Sequence, residues 1–220
     1  RKSSEFRDFI SKGGAFDVES GRYHLYISHA CPWAHRTLIM RTLLGLEGHI
    51  SVDVVDWRMN ADGSWSFNPD EEGATADTVN GESSLEGIYN RAFEGWNESR
   101  SIGTVPVLWD KKHATIVNNE SREIIRMFNQ FSKEGFGNGT TLCPPELMQE
   151  IDNMIDANYE SVNNGVYKSG FARTQEAYDE AVTALFERLD QLEAHLDGRD
   201  WLVGEDKGQL TEADICLFTT

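Results

Sequence analysis

Cysteine is scarce in this chain of 220 residues, and basic residues are outnumbered. The cysteines are Cys31, Cys143 and Cys216, an odd and sparse set that builds no disulfide framework and points to a reducing, cytoplasmic setting. Twenty Lys and Arg against 37 Asp and Glu give a net charge of −17. Nucleic acid and anionic membrane both need basic patches, so neither is expected as a partner. No apolar run reaches the ~18 residues of a spanning helix, and no signal peptide opens the chain. Repeats, low-complexity tracts and long Gly/Ser linkers are missing as well. What remains is ordinary globular usage, 39% hydrophobic and 26% charged. Arg1 is not an initiator, and Thr220 falls inside a helical pattern, so the sequence reads as a fragment.

The spacing predicts a strand over 22–28, rich in aromatic and β-branched residues, and a helix from Trp33 to Leu44. A second strand is expected over 50–56. Residues 57–100 form a long polar stretch with a short helix around 84–92, and a stretch of that length is usually functional or flexible. Val105–Trp109 and Ala114–Val117 read as two strands, followed by a helix from about Asn119 to Phe131. This order is a βαβ unit followed by a hairpin and a helix, a small α/β domain. The remainder reads as helical. Leu147, Ile151, Met154, Ile155 and Val162 mark one helix, and Tyr178 through Leu196 mark another with unbroken spacings of three and four. Thr211 to Asp214 opens a last helix with a capping box. The expected boundaries are an N-terminal extension over 1–20, an α/β domain over 21–132, a linker over 133–145 and an all-α domain over 146–220.

Cys31 stands where a strand gives way to a helix, followed by Pro32. Free N–H groups and the helix dipole at that point favour an anion and lower a thiol pKa. Proline suits a first helical turn, where its missing N–H is not needed. Cys31 therefore reads as a reactive thiol, the alternative being a small buried apolar residue. Ala34 stands three residues on, so no nearby cysteine can resolve a mixed disulfide and an external thiol must do so. His29, Cys31 and His35 are close in sequence, yet zinc needs three or four convergent ligands and no second cluster exists, so no metal is expected. Pro106 cannot donate to a ladder; it reads either as a cis proline facing a ligand or as an edge-strand proline. Asn119-Glu120-Ser121 opens a helix, either as an ordinary cap or as a carboxylate site.

Taken together, the segments Ala30-Cys31-Pro32-Trp33-Ala34-His35-Arg36, Thr104-Val105-Pro106-Val107-Leu108-Trp109, Asn118-Asn119-Glu120-Ser121 and Asn163-Asn164-Gly165-Val166-Tyr167 with Gly170-Phe171-Ala172 carry a family resemblance. The chain resembles the glutathionyl-hydroquinone reductases, the Xi class of glutathione transferases, from about residue 5 to its end. The resemblance implies a thioredoxin-like α/β N-terminal domain and an all-α glutathione-transferase C-terminal domain, here truncated. It implies glutathione as co-substrate, glutathionylated quinones as substrates and a homodimer for the full-length protein. Cys31 would be the nucleophile, attacking the glutathionyl sulfur and leaving a mixed disulfide for a second glutathione. Trp65 would pack against glutathione, Val105 before a cis Pro106 would pair with its backbone, and Glu120 and Ser121 would hold its γ-glutamyl end. Trp33 and Tyr167 would line the hydroquinone pocket. The family carries an Arg close before Thr-Val-Pro that binds glutathione; here Gly103 precedes Thr104 and Arg100 is the nearest candidate. Two rivals remain at this stage: an Omega-like thioltransferase or dehydroascorbate reductase, and a non-catalytic transferase-like interaction module.

Overall fold

The structure is a computed structural model that describes residues 5–96 and 103–220. It divides into two compact units, residues 1–140 and 141–220.

The first unit is built on a four-stranded sheet of β1 (Tyr23–Ile27), β2 (Ile50–Val54), β3 (Val107–Asp110) and β4 (Thr115–Asn118) in the order β2-β1-β3-β4. β1 pairs parallel with β2, while β3 is antiparallel to both β1 and β4. Helix α1 (Pro32–Leu43) crosses over between β1 and β2, and α3 (Ser121–Lys133) follows β4 and packs on α1. Ile124, Ile125, Phe128 and Phe131 supply the buried stripe of α3. Gly45, at φ +68°, takes the left-handed position that ends α1.

All of β1 is buried, because both faces of the sheet are covered. On one face the Tyr23 ring meets Phe131 of α3, 5.8 Å between centroids. On the other, His24 and Tyr26 meet the long polar stretch. The Tyr26 hydroxyl donates to Asp77 (2.9 Å), and Asp53 accepts from both the N–H (2.6 Å) and the hydroxyl (2.8 Å) of Thr78. The His24 Nε2 lies 3.2 Å from Asp53, near enough to pair electrostatically but out of line for a hydrogen bond. Its Nδ1 is bonded to the Ser51 hydroxyl at 2.7 Å. Thr75 adds a backbone bond to Val54. The polar stretch is thus fastened to the sheet by buried aspartates. It then leads into α2 (Leu85–Ala92).

The second unit is helical: α4 (Met148–Asn158), α5 (Gly165–Gly170), α6 (Gln175–His195) and α7 (Glu212–Phe218). The single helix expected through Leu147 and Val162 is interrupted. A π-turn over Tyr159–Asn163, closed by Asn164 N–H to Tyr159 C=O at 2.8 Å, separates α4 from α5. The extra residue lets Val162 and Asn163 turn inward together, and Asn163 donates to Cys216 C=O (3.1 Å) and Thr220 Oγ1 (2.9 Å). Asp214 completes the capping box of α7, accepting from Thr211 N–H at 2.8 Å. Cys143 and Cys216 are both buried.

Candidate functional site

The pairing directions bring three loops to one edge of the sheet. β1 and β3 are antiparallel, so the end of β1 lies beside the start of β3; β3 and β4 are antiparallel, so the end of β4 joins them. The β1–α1 turn holds Cys31, the approach to β3 holds Val105-Pro106, and the β4–α3 turn holds Glu120-Ser121. These residues are far apart in sequence, and the sheet makes them neighbours.

Cys31 occupies the N-cap of α1 in extended conformation, with Pro32 beginning the helix. Its side chain is half-buried, and its Sγ lies 3.6 Å from Val105 C=O. Cys31 thus stands at the N-terminal end of α1, where negative charge is favoured, although its side chain makes no capping hydrogen bond. The Val105–Pro106 bond is cis, and the β3 ladder begins only at Val107, which has the N–H that Pro106 lacks. Glu120 caps α3, its carboxylate accepting from Arg122 N–H at 3.5 Å, and Ser121 is fully buried at the first helical position.

Trp33 is buried on α1 with the Arg36 guanidinium over its ring at 4.6 Å. Arg36 reaches across to donate to Ser121 Oγ at 3.4 Å, linking the start of α1 with that of α3. Arg36 was given no role by sequence reasoning. The signal was available: it falls between Trp33 and Met40 on the buried stripe of α1, where a lone arginine calls for a purpose.

Trp65 is half-buried in the polar stretch, and its C=O accepts from Leu85 N–H at the start of α2 (2.8 Å). Glu86, the next residue, is also half-buried; burial pushes its carboxyl above the ordinary range against the opposing bonds from its own N–H, Trp65 and Ser84. Arg100 lies outside the described residues. Tyr167 belongs to α5 in the second unit, stacked on Phe171 with centroids 6.3 Å apart and planes 21° apart. Phe171 itself is 78% exposed. His29 and His35 are both exposed. Among the described residues no group of three or more His, Cys, Asp or Glu side chains is arranged to hold a metal ion, and no helix is long and apolar enough to cross a membrane.

Known proteins are similar to this chain in sequence and fold. The glutathione S-transferase N-terminal domain family matches residues 30–130, and its C-terminal domain family matches residues 175–220. The glutathionyl-hydroquinone reductase PcpF of Sphingobium chlorophenolicum is 48% identical over the whole chain, which spans 67% of that relative. The Xi glutathione transferase of Phanerochaete chrysosporium is 49% identical with a TM-score of 0.92, the match covering all of this chain and 73% of that one. The glutathione-bound structure of YqjG from Escherichia coli is 48% identical with a TM-score of 0.89, over 98% of this chain and 70% of that one. The chain spans about two thirds of the length of such curated relatives. With the Cys31 turn, the cis proline and the Glu-Ser helix start assembled at one sheet edge, the chain belongs to the glutathione S-transferase family, in its Xi-class group of glutathionyl-hydroquinone reductases.

Proposed function

We propose that the protein reduces glutathionyl-hydroquinones to hydroquinones at the expense of glutathione, with Cys31 as the nucleophile. The observation that carries this reading is the half-buried Cys31 thiol at the N-terminus of α1, its sulfur 3.6 Å from the backbone of the residue before a cis proline. A thiol there can be held as thiolate beside a backbone edge suited to a peptide-like co-substrate. The names of the relatives, two of them glutathionyl-hydroquinone reductases, support the substrate class.

In the first step the Cys31 thiolate attacks the glutathionyl sulfur. The sulfur–carbon bond breaks, the ring carbon keeps the bonding pair and takes up a proton, and hydroquinone leaves. Cys31 is left in a disulfide with glutathione. In the second step a glutathione thiolate attacks that disulfide, releasing oxidised glutathione and restoring Cys31. Serine could activate glutathione but could not form the disulfide. Val105 would pair its backbone with the tripeptide, Glu120 and Ser121 would hold the γ-glutamyl end, Trp65 would pack on it and Arg100 would add a charge contact. Trp33 and Tyr167 would shape the hydroquinone site. The glutathione-binding domain would span residues 21–132 and the helical domain 146–220. The odd, sparse set of three cysteines supports a reducing cytoplasmic setting, and the family resemblance supports a homodimer.

Intact mass after adding glutathionyl-menadiol, the hydroquinone form of the menadione adduct, tests the reading. The wild type is expected to gain one glutathione and release menadiol, and Cys31→Ala to do neither. Full reductase activity in Cys31→Ser would rule the mechanism out. A rate no better than that on a small generic mixed disulfide would point to a broader thioltransferase.

A further inference from the structure

α2 is two turns long, yet its polar bonds reach both sides of the candidate site. Tyr89, on its inner face, is fully buried. Its hydroxyl donates to Thr104 C=O at 2.7 Å and accepts from Thr104 N–H at 3.3 Å and from Asn119 Nδ2 at 3.0 Å. The Thr104 Oγ1 also lies 3.4 Å from the hydroxyl, so the phenol oxygen is fully engaged by Thr104 and Asn119. Thr104 directly precedes Val105, and Asn119 directly precedes Glu120. The ring packs closely on the chain here: a Cβ on Gly103 would come to 3.0 Å from Tyr89 Cδ2 and 3.2 Å from Cε2, so a side chain before Thr104 would require the ring to give by a few tenths of an ångström. Phe6 and Trp96 hold the ring from behind, at 5.8 and 4.6 Å between centroids. Burial, working against the bonds from Thr104 and Asn119, keeps the phenol above its ordinary range. At its own start, α2 is bonded to Trp65 through Leu85.

We propose that Tyr89 is a positioning residue for glutathione, its hydroxyl holding the Thr104–Val105 backbone and the Asn119–Glu120 turn in one register so that both meet the same tripeptide. This rests on the reading of Val105, Glu120 and Ser121 as glutathione contacts. The Tyr89 hydroxyl touches both segments, one on each side.

Tyr89→Phe keeps the ring packing and removes only the hydroxyl. The purified wild type, Tyr89→Phe, Asn119→Ala and the double variant are compared for the KM of glutathione, for kcat at saturating glutathione with glutathionyl-menadiol, and for the rate at which iodoacetamide alkylates Cys31. Tyr89→Phe is expected to raise the KM about tenfold with kcat within about twofold. Alkylation should be unchanged, and Asn119→Ala should add less in the Tyr89→Phe background than in the wild type. A folded Tyr89→Phe with unchanged KM overturns the proposal, as does a parallel loss of kcat and alkylation. Should Tyr89→Phe fail to fold, Asn119→Ala decides alone: an increase of about threefold in KM supports the proposal and an unchanged KM overturns it. A wild type that does not bind glutathione overturns the underlying reading and this inference together. A wild type that binds it, beside a Tyr89→Phe that binds equally, overturns the inference alone.

Discussion

α3 in the first unit and α6 in the second both carry apolar residues at intervals of three and four, and the two helices meet different surroundings. In α3 the Ile124, Ile125, Phe128 and Phe131 side chains are completely buried. In α6 only Leu185 and Leu192 are buried, while Phe186 is 58% exposed and Tyr178 and Leu189 are also open. Apolar spacing therefore decides that a helix forms and which stripe is apolar, but burial depends on what lies opposite. α3 lies against a sheet strand and another helix; α6 lies against α5 and the π-turn for part of its length.

The sharpest break in that comparison is a buried charge in the first unit. Arg22 and Asp110 are paired at 2.5 Å with their side chains 3% and 0% exposed. Removing the cation leaves the buried carboxylate with only the Lys112 N–H and His113 beside it, so Arg22→Met should cost about 3–5 kcal/mol in denaturant unfolding. The pH dependence gives a second readout. Burial alone would raise the Asp110 carboxyl, but Arg22, the Lys112 N–H and His113 hold it below the ordinary range. A lowered folded pKa stabilises above the unfolded value, about 3.9, and that stability is lost as pH falls through the folded value. In Arg22→Met the burial cause prevails and the sign reverses, so protonation relieves the variant. The gap between wild type and variant should narrow as pH falls from 7 towards about 4; a gap that widens would contradict this account.

Phenylalanine allows the same comparison without charge. Phe128→Ala opens a cavity in the covered stripe of α3 and should cost about 3–5 kcal/mol. Phe186→Ala on the open stripe of α6 should change stability by less than about 0.5 kcal/mol. Equal costs would mean that α6 is covered in solution and would dissolve the contrast.

These particulars also mark what local pattern could convey. The β1 strand, α1, the β3–β4 hairpin and α3 follow from residue spacing, and the sheet order then gathers Cys31, Val105-Pro106 and Glu120-Ser121 at one edge. The cis state of Pro106 was open, because an edge proline and a cis proline look alike in sequence. The fastening of residues 75–82 was not legible: it depends on Asp53 and Asp77 bonding partners some 25 to 51 residues away. Tyr89 was missed for the same reason, since long-range polar pairing has no period, whereas Arg36 could have been found from its place on the buried stripe of α1. The π-turn at Tyr159–Asn163 defeated the helical spacing because one inserted residue leaves an apolar pattern almost unaltered.

The second unit has its own fixed points, and they are polar. Asp214 accepts from Thr211 N–H and, through its other oxygen, from Leu202 N–H at 2.9 Å. Asp214→Ala removes the capping box and that cross-link together and should cost about 1–2 kcal/mol. Asp214→Asn retains an acceptor and should recover part of the loss.

The smallest expected effect returns to charge. Lys168 and Glu160 pair at 2.7 Å beside the π-turn, with side chains 54% and 69% exposed. The bond is about as short as Arg22–Asp110, so distance alone would rank the two together. Water screens the exposed pair and supplies either ion with a ready substitute partner, whereas the buried pair has no such substitute. Lys168→Ala should therefore change stability by less than about 1 kcal/mol, and by less still in high salt. A loss approaching that of Arg22→Met would mean that Lys168 acts through its second contact, the bond to Glu160 C=O at 3.4 Å, and supports the π-turn itself.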